Sequence, residues 1–376
     1  MPRFARNDII SLVAEHATLS LAESYTPSLH LRDLLENGDD LELGYSSPLG
    51  SLVLREAIAR GFGARADDIV VTVGGAHALF LCALTLCAHG DHVVTTVPVF
   101  PPTRAGLDAV GAQVSAVRVR FDDGYRFDVT EFRRCLVPQT KLVSVASPQN
   151  PSGIFIPHDT LRRMLDVMGE VAPRARLLVD EAFREAAYGS DPFVPSAFGL
   201  DDRVICVGSL SKGHGAPGLR IGWILTSDHR LRDELSVAKF NTAISCSPID
   251  EALAVKVLKD RERFPNERRA HLQTCLEMTQ AWVHDNARYV EWVRPQAGPI
   301  CVIRLKARAF TDEAARRFYE ACASSGARVA NGEWFGDEPR AFRIGFALLP
   351  PTELQKALDL LSAALVSRDL TTRYSR

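Results

Sequence analysis

The sequence predicts an α/β protein: a large domain on a mostly parallel seven-stranded sheet, with a smaller α+β domain beside it. Three observations carry this expectation. Short β-branched runs alternate with helical patterns from about Asp68 to Thr226, the pattern of parallel strands covered by helices on both faces. Long amphipathic helices dominate after Arg230, and two further strand-like runs follow them. The chain of 376 residues is also two to three times the usual domain size of about 100–150 residues, which leaves room for a second lobe.

In order, the seven strands are expected at residues 69–73, 92–97, 113–119, 141–146, 176–179, 203–207 and 221–225, each an apolar run rich in Val, Ile or Thr. Helices at 76–88 and 160–169 lie between them, bounded by Gly, Pro or Asp. The later part offers a long helix at 266–285, strands at 300–305 and 342–347, and helices at 311–325 and 352–367. The large domain is therefore placed at 46–270, and the small domain at 1–45 and 271–376.

Composition narrows the function. An apolar fraction of 46% and a charged fraction of 24% are those of an ordinary globular protein, and exclude collagen-like, disordered and coiled-coil chains. With 44 Lys+Arg against 46 Asp+Glu, the net charge of −2 supplies no broad positive field for nucleic acid or an anionic membrane. A small-molecule partner is expected instead. Cys82, Cys87, Cys135, Cys206, Cys246, Cys275, Cys301 and Cys322 form no C-x-x-C pair and have no His at metal-ligand spacing. They read as reduced, buried thiols of a cytoplasmic protein, with no metal site. Residues 1–10 mix Arg3, Arg6 and Asp8 with no apolar core, and no run reaches the roughly 18–20 apolar residues of a membrane span, so neither export nor insertion is expected.

Four segments carry the chemistry. Residues 207–222 hold Lys212 among small residues, with Arg220 eight positions later. Asp180 closes an apolar strand, where a carboxylate costs stability unless a cation or donor faces it. Asn150 follows another strand and is flanked by Pro148 and Pro151, which restrict the backbone. Gly74 and Gly75 join a strand to a helix, where backbone N–H groups and the helix dipole favour an anion. Alone, each segment also suits a plain loop, turn or cap, and His77 either touches such an anion or sits in the first helical turn. Together they fall at strand C-termini, where open α/β sheets bind ligands, and one shared site is expected.

In this order and spacing, Asn150-Pro-Ser-Gly153, Asp180-Glu-Ala-Phe183, Ser209-Leu-Ser-Lys212 and Gly218-Leu-Arg-Ile-Gly222 resemble the fold-type I pyridoxal-phosphate enzymes of the class I/II aminotransferase superfamily. The resemblance runs from about Leu19 to the C-terminus. It implies pyridoxal 5'-phosphate held on Lys212, which later acts as base at the substrate α-carbon, and Asp180 on the pyridinium nitrogen. Asn150 would bond the phenolic oxygen. Ser209, Arg220 and the backbone of Gly74, Gly75 and Ala76 would bind the phosphate, and Phe100 would lie against the ring. Tyr45, in Gly44-Tyr-Ser-Ser-Pro-Leu-Gly50, matches a tyrosine that reaches the phosphate in a neighbouring subunit, which implies a homodimer with shared sites. Arg343, in Phe342-Arg-Ile-Gly-Phe346, matches the arginine that clamps the substrate α-carboxylate.

Phe183 departs from the pattern, which usually has a tyrosine whose hydroxyl donates to the phenolic oxygen. A phenyl ring cannot donate, so the resting cofactor is expected to hold its proton to higher pH. The same replacement occurs in threonine-phosphate decarboxylases and in the arginine-processing oxidases and cyclases of antibiotic pathways. The resemblance thus implies an aminotransferase using an α-amino acid and a keto acid. Its alternative diverts the same first steps into elimination, cyclisation, oxidation or decarboxylation. A non-catalytic binding module is disfavoured by the retention of Lys212 and Asp180. The family further implies that residues 19–27 cross the site, making Glu23, Ser24 and Tyr25 candidates for side-chain recognition. Glu23 facing the site would suit a basic substrate such as arginine, but the sequence leaves its direction open.

Overall fold

The computed structural model describes residues 4, 7–14, 17–35, 41–188, 193–259 and 262–373. Arg3 and Arg6 of the N-terminal stretch lie outside them. The first strand, β1 (Leu19–Ser20), belongs to a small parallel pair completed near the C-terminus. Seven strands then build the large sheet: β2 (Ile69–Val73), β3 (His92–Val97), β4 (Gln113–Arg118), β5 (Thr140–Ala146), β6 (Arg176–Asp180), β7 (Val204–Ser209) and β8 (Ile221–Thr226). A four-stranded antiparallel sheet follows, from β9 (Val290–Val293), β10 (Ile300–Leu305), β12 (Ala330–Asn331) and β13 (Ala341–Gly345), while β11 (Ala327–Arg328) returns to β1.

In the large sheet the order is β2-β8-β7-β6-β5-β3-β4, parallel except for β8, which runs against both β2 and β7. Its central strands are mostly apolar because helices cover both faces, and two hydrophobic cores result. Val71, Val143, Leu177, Cys206 and Trp223 face one, while Val70, Leu142, Leu178 and Ile205 face the other. A third core, with Leu21, Cys301, Ile303, Phe342 and Leu358, fills the small lobe. The helix Arg263–Asp285 joins the lobes: Phe264 packs in the large-sheet core, and Leu272, Leu276 and Trp282 pack in the small-lobe core.

Local chemistry sets the element ends. Asp128, Asp228 and Thr311 cap the helices that follow them with side-chain oxygens on backbone N–H groups. The strand expected to end at Val207 continues to Ser209, because Gly208 pairs with Trp223 and Ser209 with Gly222. Gly208 is required there, since a Cβ would lie 2.3 Å from the Trp223 indole. The helix expected to begin at residue 76 begins at Gly74, directly after the strand. β9 and β12 were not expected; Glu291 interrupts the first, and the second has two residues. All eight cysteines are free thiols and seven are buried, but Cys135 is only partly covered. No helix among the described residues is long and apolar enough to cross a membrane.

Candidate active site

The cradle for an anion forms where β2, β8 and β7 lie side by side. Thr72 pairs with Gly222 and Val73 with Ile221, while Ser209 pairs with Gly222, so the ends of three strands share one corner. Gly74, at φ +75°, turns the chain straight from β2 into the helix Gly74–Leu86. A Cβ there would lie 2.2 Å from Arg220 Nη2, and one at Gly222 would lie 2.6 Å from the Gly74 carbonyl carbon. Backbone N–H groups, a guanidinium and the Ser209 hydroxyl therefore converge at a helix N-terminus, with Ala76 in its first turn. Ser209 Oγ is 2.8 Å from Ser211 Oγ. His77 sits in the first turn: its Nδ1 accepts the Val73 N–H at 3.2 Å, and its Nε2 is 3.1 Å from Thr242 Oγ1.

Asp180 ends β6 beside Ala146 and Val207. Burial pushes its carboxyl up to about 6, opposed by the Ala182 N–H that it accepts at 3.0 Å and by Lys212. Lys212 Nζ donates to Ser24 Oγ at 2.8 Å and lies 5.6 Å from the centre of the Phe183 ring. Burial, with Arg343 adding, draws this amine down to about 8, against the opposing pull of Glu23 and Asp180. Arg343 is 1% exposed. Its Nη1 donates to Asn150 Oδ1 at 2.9 Å and its Nη2 to the Ala22 carbonyl at 2.5 Å, while Nε is buried without a hydrogen-bond partner. An orphaned donor on a buried guanidinium suits an incoming carboxylate.

The segment 21–29 forms the opposite wall. Gly345 N–H donates to the Leu21 carbonyl at 2.6 Å, and a Cβ at Gly345 would lie 1.4 Å from the Glu23 carbonyl oxygen, so only glycine lets the strap cross β13. Ser24 thus reaches Lys212, and Thr26 Oγ1 donates to the Lys212 carbonyl at 3.1 Å. Glu23 is half-buried; burial raises its carboxyl, opposed first by Arg343 and then by Lys212. Tyr25 is raised by burial and by Glu23.

Phe100 is half-buried at the N-terminus of the helix Pro101–Ala109 and packs against the core that also holds Ala78 and Leu79 of the cradle helix. Tyr45 is 86% exposed, so within one chain it closes nothing. Sequence reasoning missed Thr26, Glu185, His214 and Phe335. The Phe335 ring lies 4.9 Å from the Arg343 guanidinium, and His214 Nε2 lies 2.5 Å from Glu185 Oε2. Their partners are distant in sequence, and the one local signal was a histidine two residues after Lys212.

An anion cradle, a half-buried amine and a carboxylate on one sheet rim fit pyridoxal phosphate. Residues 30–361 match the family described as aminotransferase class I and II. Over 363 residues, 96% of this chain and 90% of that protein, the sequence is 28% identical to capreomycidine synthase of Streptomyces vinaceus. It is 30% identical over 188 residues to arginine–pyruvate transaminase of Pseudomonas aeruginosa, covering 48% of this chain and 47% of that one. The fold matches a PLP-dependent aminotransferase from Streptococcus suis with a TM-score of 0.87, over 98% of this chain and 99% of that chain, at 24% identity. The family match takes in the large sheet with Asn150, Asp180, Lys212 and Arg220, and the four-stranded sheet with Arg343, and the chain belongs to the class I and II aminotransferase family of pyridoxal-phosphate enzymes.

Proposed function

We propose that the protein is an aminotransferase that acts on an α-amino acid with a cationic side chain and passes the amino group to a keto acid. The observation that carries this reading is the Lys212 amine, drawn down to about 8 between Ser24 and the Phe183 ring. An amine so depressed is available as nucleophile and base near neutral pH. Bound in the cleft, pyridoxal phosphate supplies an aldehyde for that amine and a cationic ring that accepts the electron pair released at the α-carbon.

In this reading Lys212 holds the cofactor and then moves the proton at the substrate α-carbon. Asp180 keeps a proton on the ring nitrogen, which also compensates its own buried charge. Asn150 orients the phenolic oxygen, with Phe183 leaving it one donor short, and Phe100 covers the ring face. Arg220, Ser209 and the backbone of Gly74, Gly75 and Ala76 hold the phosphate. Tyr45 completes that pocket in a second copy, which makes the enzyme a homodimer with shared sites. Residues 46–270 form the cofactor-binding domain, and 1–45 with 271–376 form the small one.

The substrate class follows from charge. Burial raises the Glu23 carboxyl, and Arg343 and Lys212 offset only part of that. A substrate α-carboxylate occupies Arg343, and the Lys212 amine, released when the substrate takes its place on the cofactor, must be neutral to act as base. A half-buried carboxylate then needs another cation, which a basic side chain brings, flanked by Ser24 and Tyr25. The arginine–pyruvate transaminase similarity supports this choice.

A second reading is favoured by Phe183 and by the nearly full-length similarity to a synthase. It keeps proton removal by Lys212 and then diverts the product into elimination, cyclisation, oxidation or decarboxylation. A single turnover of the loaded enzyme with arginine and no keto acid separates the two. Transamination leaves one equivalent of keto acid, with the amino group retained on the enzyme and no oxygen consumed. Sustained turnover without an acceptor contradicts it.

A further inference from the structure

His214 lies two residues beyond Lys212 and is fully buried. Burial, with Arg268 adding, depresses its ring to about 3, so the imidazole is neutral and Nε2–H is assigned as donor to Glu185 Oε2 at 2.5 Å. Its Nδ1 is buried with no hydrogen-bond partner in the structure, and so is Arg268 Nε. One is an acceptor and the other a donor, and both flank Gly215.

The loop is gripped from two sides. A Cβ at Gly213 would lie 2.0 Å from the Glu185 carbonyl oxygen. One at Gly215 would lie 2.6 Å from the Pro27 carbonyl oxygen and 2.7 Å from Arg268 Nη2. Leu29 N–H donates to the Gly215 carbonyl at 2.8 Å, and Arg268 Nη2 to the Pro27 carbonyl at 3.2 Å. On one side, then, is the turn that carries Phe183 and Glu185, just after Asp180. On the other are the strap and the helix Arg263–Asp285, which joins the two lobes. An apolar ring would fill the same space without the desolvation cost of a buried polar pair, so the pair is there for geometry rather than packing.

We propose that His214 is a positioning residue: held by Glu185 and facing Arg268, it sets the Lys212 loop against the Asp180–Phe183 wall and the strap, so that the amine meets the substrate α-carbon. The inference rests on Lys212 being the proton-transfer group. It involves no bond making at His214.

The test uses holoenzyme carrying His214→Phe, which keeps a ring but loses both polar atoms, and His214→Gln, which keeps an N–H for Glu185. The measurements are cofactor absorbance, the kcat and KM values, and exchange of the substrate α-hydrogen with D₂O. His214→Phe should retain the cofactor and hold KM within about threefold, while kcat and exchange fall about 10- to 100-fold, as for a displacement of about 1 Å. His214→Gln should recover most of that loss. Exchange at the wild-type rate in His214→Phe, or a glutamine variant as impaired as the phenylalanine one, overturns the role. If His214→Phe does not fold, Glu185→Gln decides, since it weakens the same hydrogen bond and should slow exchange severalfold; an unchanged rate overturns the proposal. Absence of exchange in the wild-type enzyme would instead overturn the proton-transfer reading of Lys212.

Discussion

The two walls of the cleft are built from different kinds of contact. On the sheet wall, Asp180 and Ser209 sit at strand ends, Gly74 turns into a helix, and Lys212 and Arg220 flank one short loop, so neighbours in space are neighbours along paired strands. On the strap wall, Ala22 meets Arg343, Ser24 meets Lys212 and Glu23 crosses Gly345, each from far along the chain. In the proposed reading, the sheet wall carries groups that any amino acid would need, and the strap wall carries the polar groups that a particular side chain would meet. Changes to the sheet wall should therefore damage catalysis for every substrate, and changes to the strap wall should re-rank substrates.

The largest effect is expected from Lys212→Ala, which should reduce turnover below detection for all amino acids tested and remove the absorbance of lysine-bound cofactor. Residual turnover with one substrate class would break the comparison, because the sheet wall would no longer be general.

Asp180→Asn should bind cofactor and lose roughly 10²-fold or more in rate, since a neutral amide cannot hold the ring-nitrogen proton. The same change should stabilise the cofactor-free protein. Asp180 is raised from 3.8 to about 6 by burial, so the folded chain favours the protonated acid. Its penalty grows as pH rises from about 4 to 6 and persists above that window. Urea unfolding should find the variant roughly 1–3 kcal/mol more stable at pH 7 and no more stable near pH 4. Equal stability at both values would contradict a burial penalty on the Asp180 carboxylate.

On the strap wall, Glu23→Gln should lower kcat/KM for arginine about 10- to 100-fold, the range for a hydrogen bond to a charged group, while citrulline, its neutral analogue, should lose little. Equal losses for both substrates would move Glu23 from recognition into general chemistry. The smallest change is expected from Phe183→Tyr. A donor near the phenolic oxygen should lower the pH at which the lysine-bound cofactor loses its proton by up to about one unit, read by absorbance titration. An upward shift would place the hydroxyl elsewhere.

This contrast also explains what could be read from the chain alone. The strands at 69–73, 92–97 and 300–305 were legible because a strand buried on both faces is a continuous β-branched run. Lys212, Asp180, Asn150 and Arg220 were legible because each lies in a short segment beside a strand end. β9 was obscured by Glu291, which pairs with Arg304 at the sheet edge. The crossing of the strap backbone at Glu23 depends on Gly345 having no side chain, a condition more than three hundred residues away that no local pattern encodes. His214 and Glu185 escaped for the same reason: each looks like a surface polar residue until the fold buries them against one another.

The central claim is that the Lys212 amine is the group on which the chemistry of both walls converges. Borohydride reduction of the loaded enzyme, followed by proteolysis and mass spectrometry, tests it most directly. A stable pyridoxyl adduct is expected on the peptide containing Lys212 and on no other lysine. An adduct on Lys239 or Lys141, or none at all in enzyme that has bound the cofactor, would contradict it.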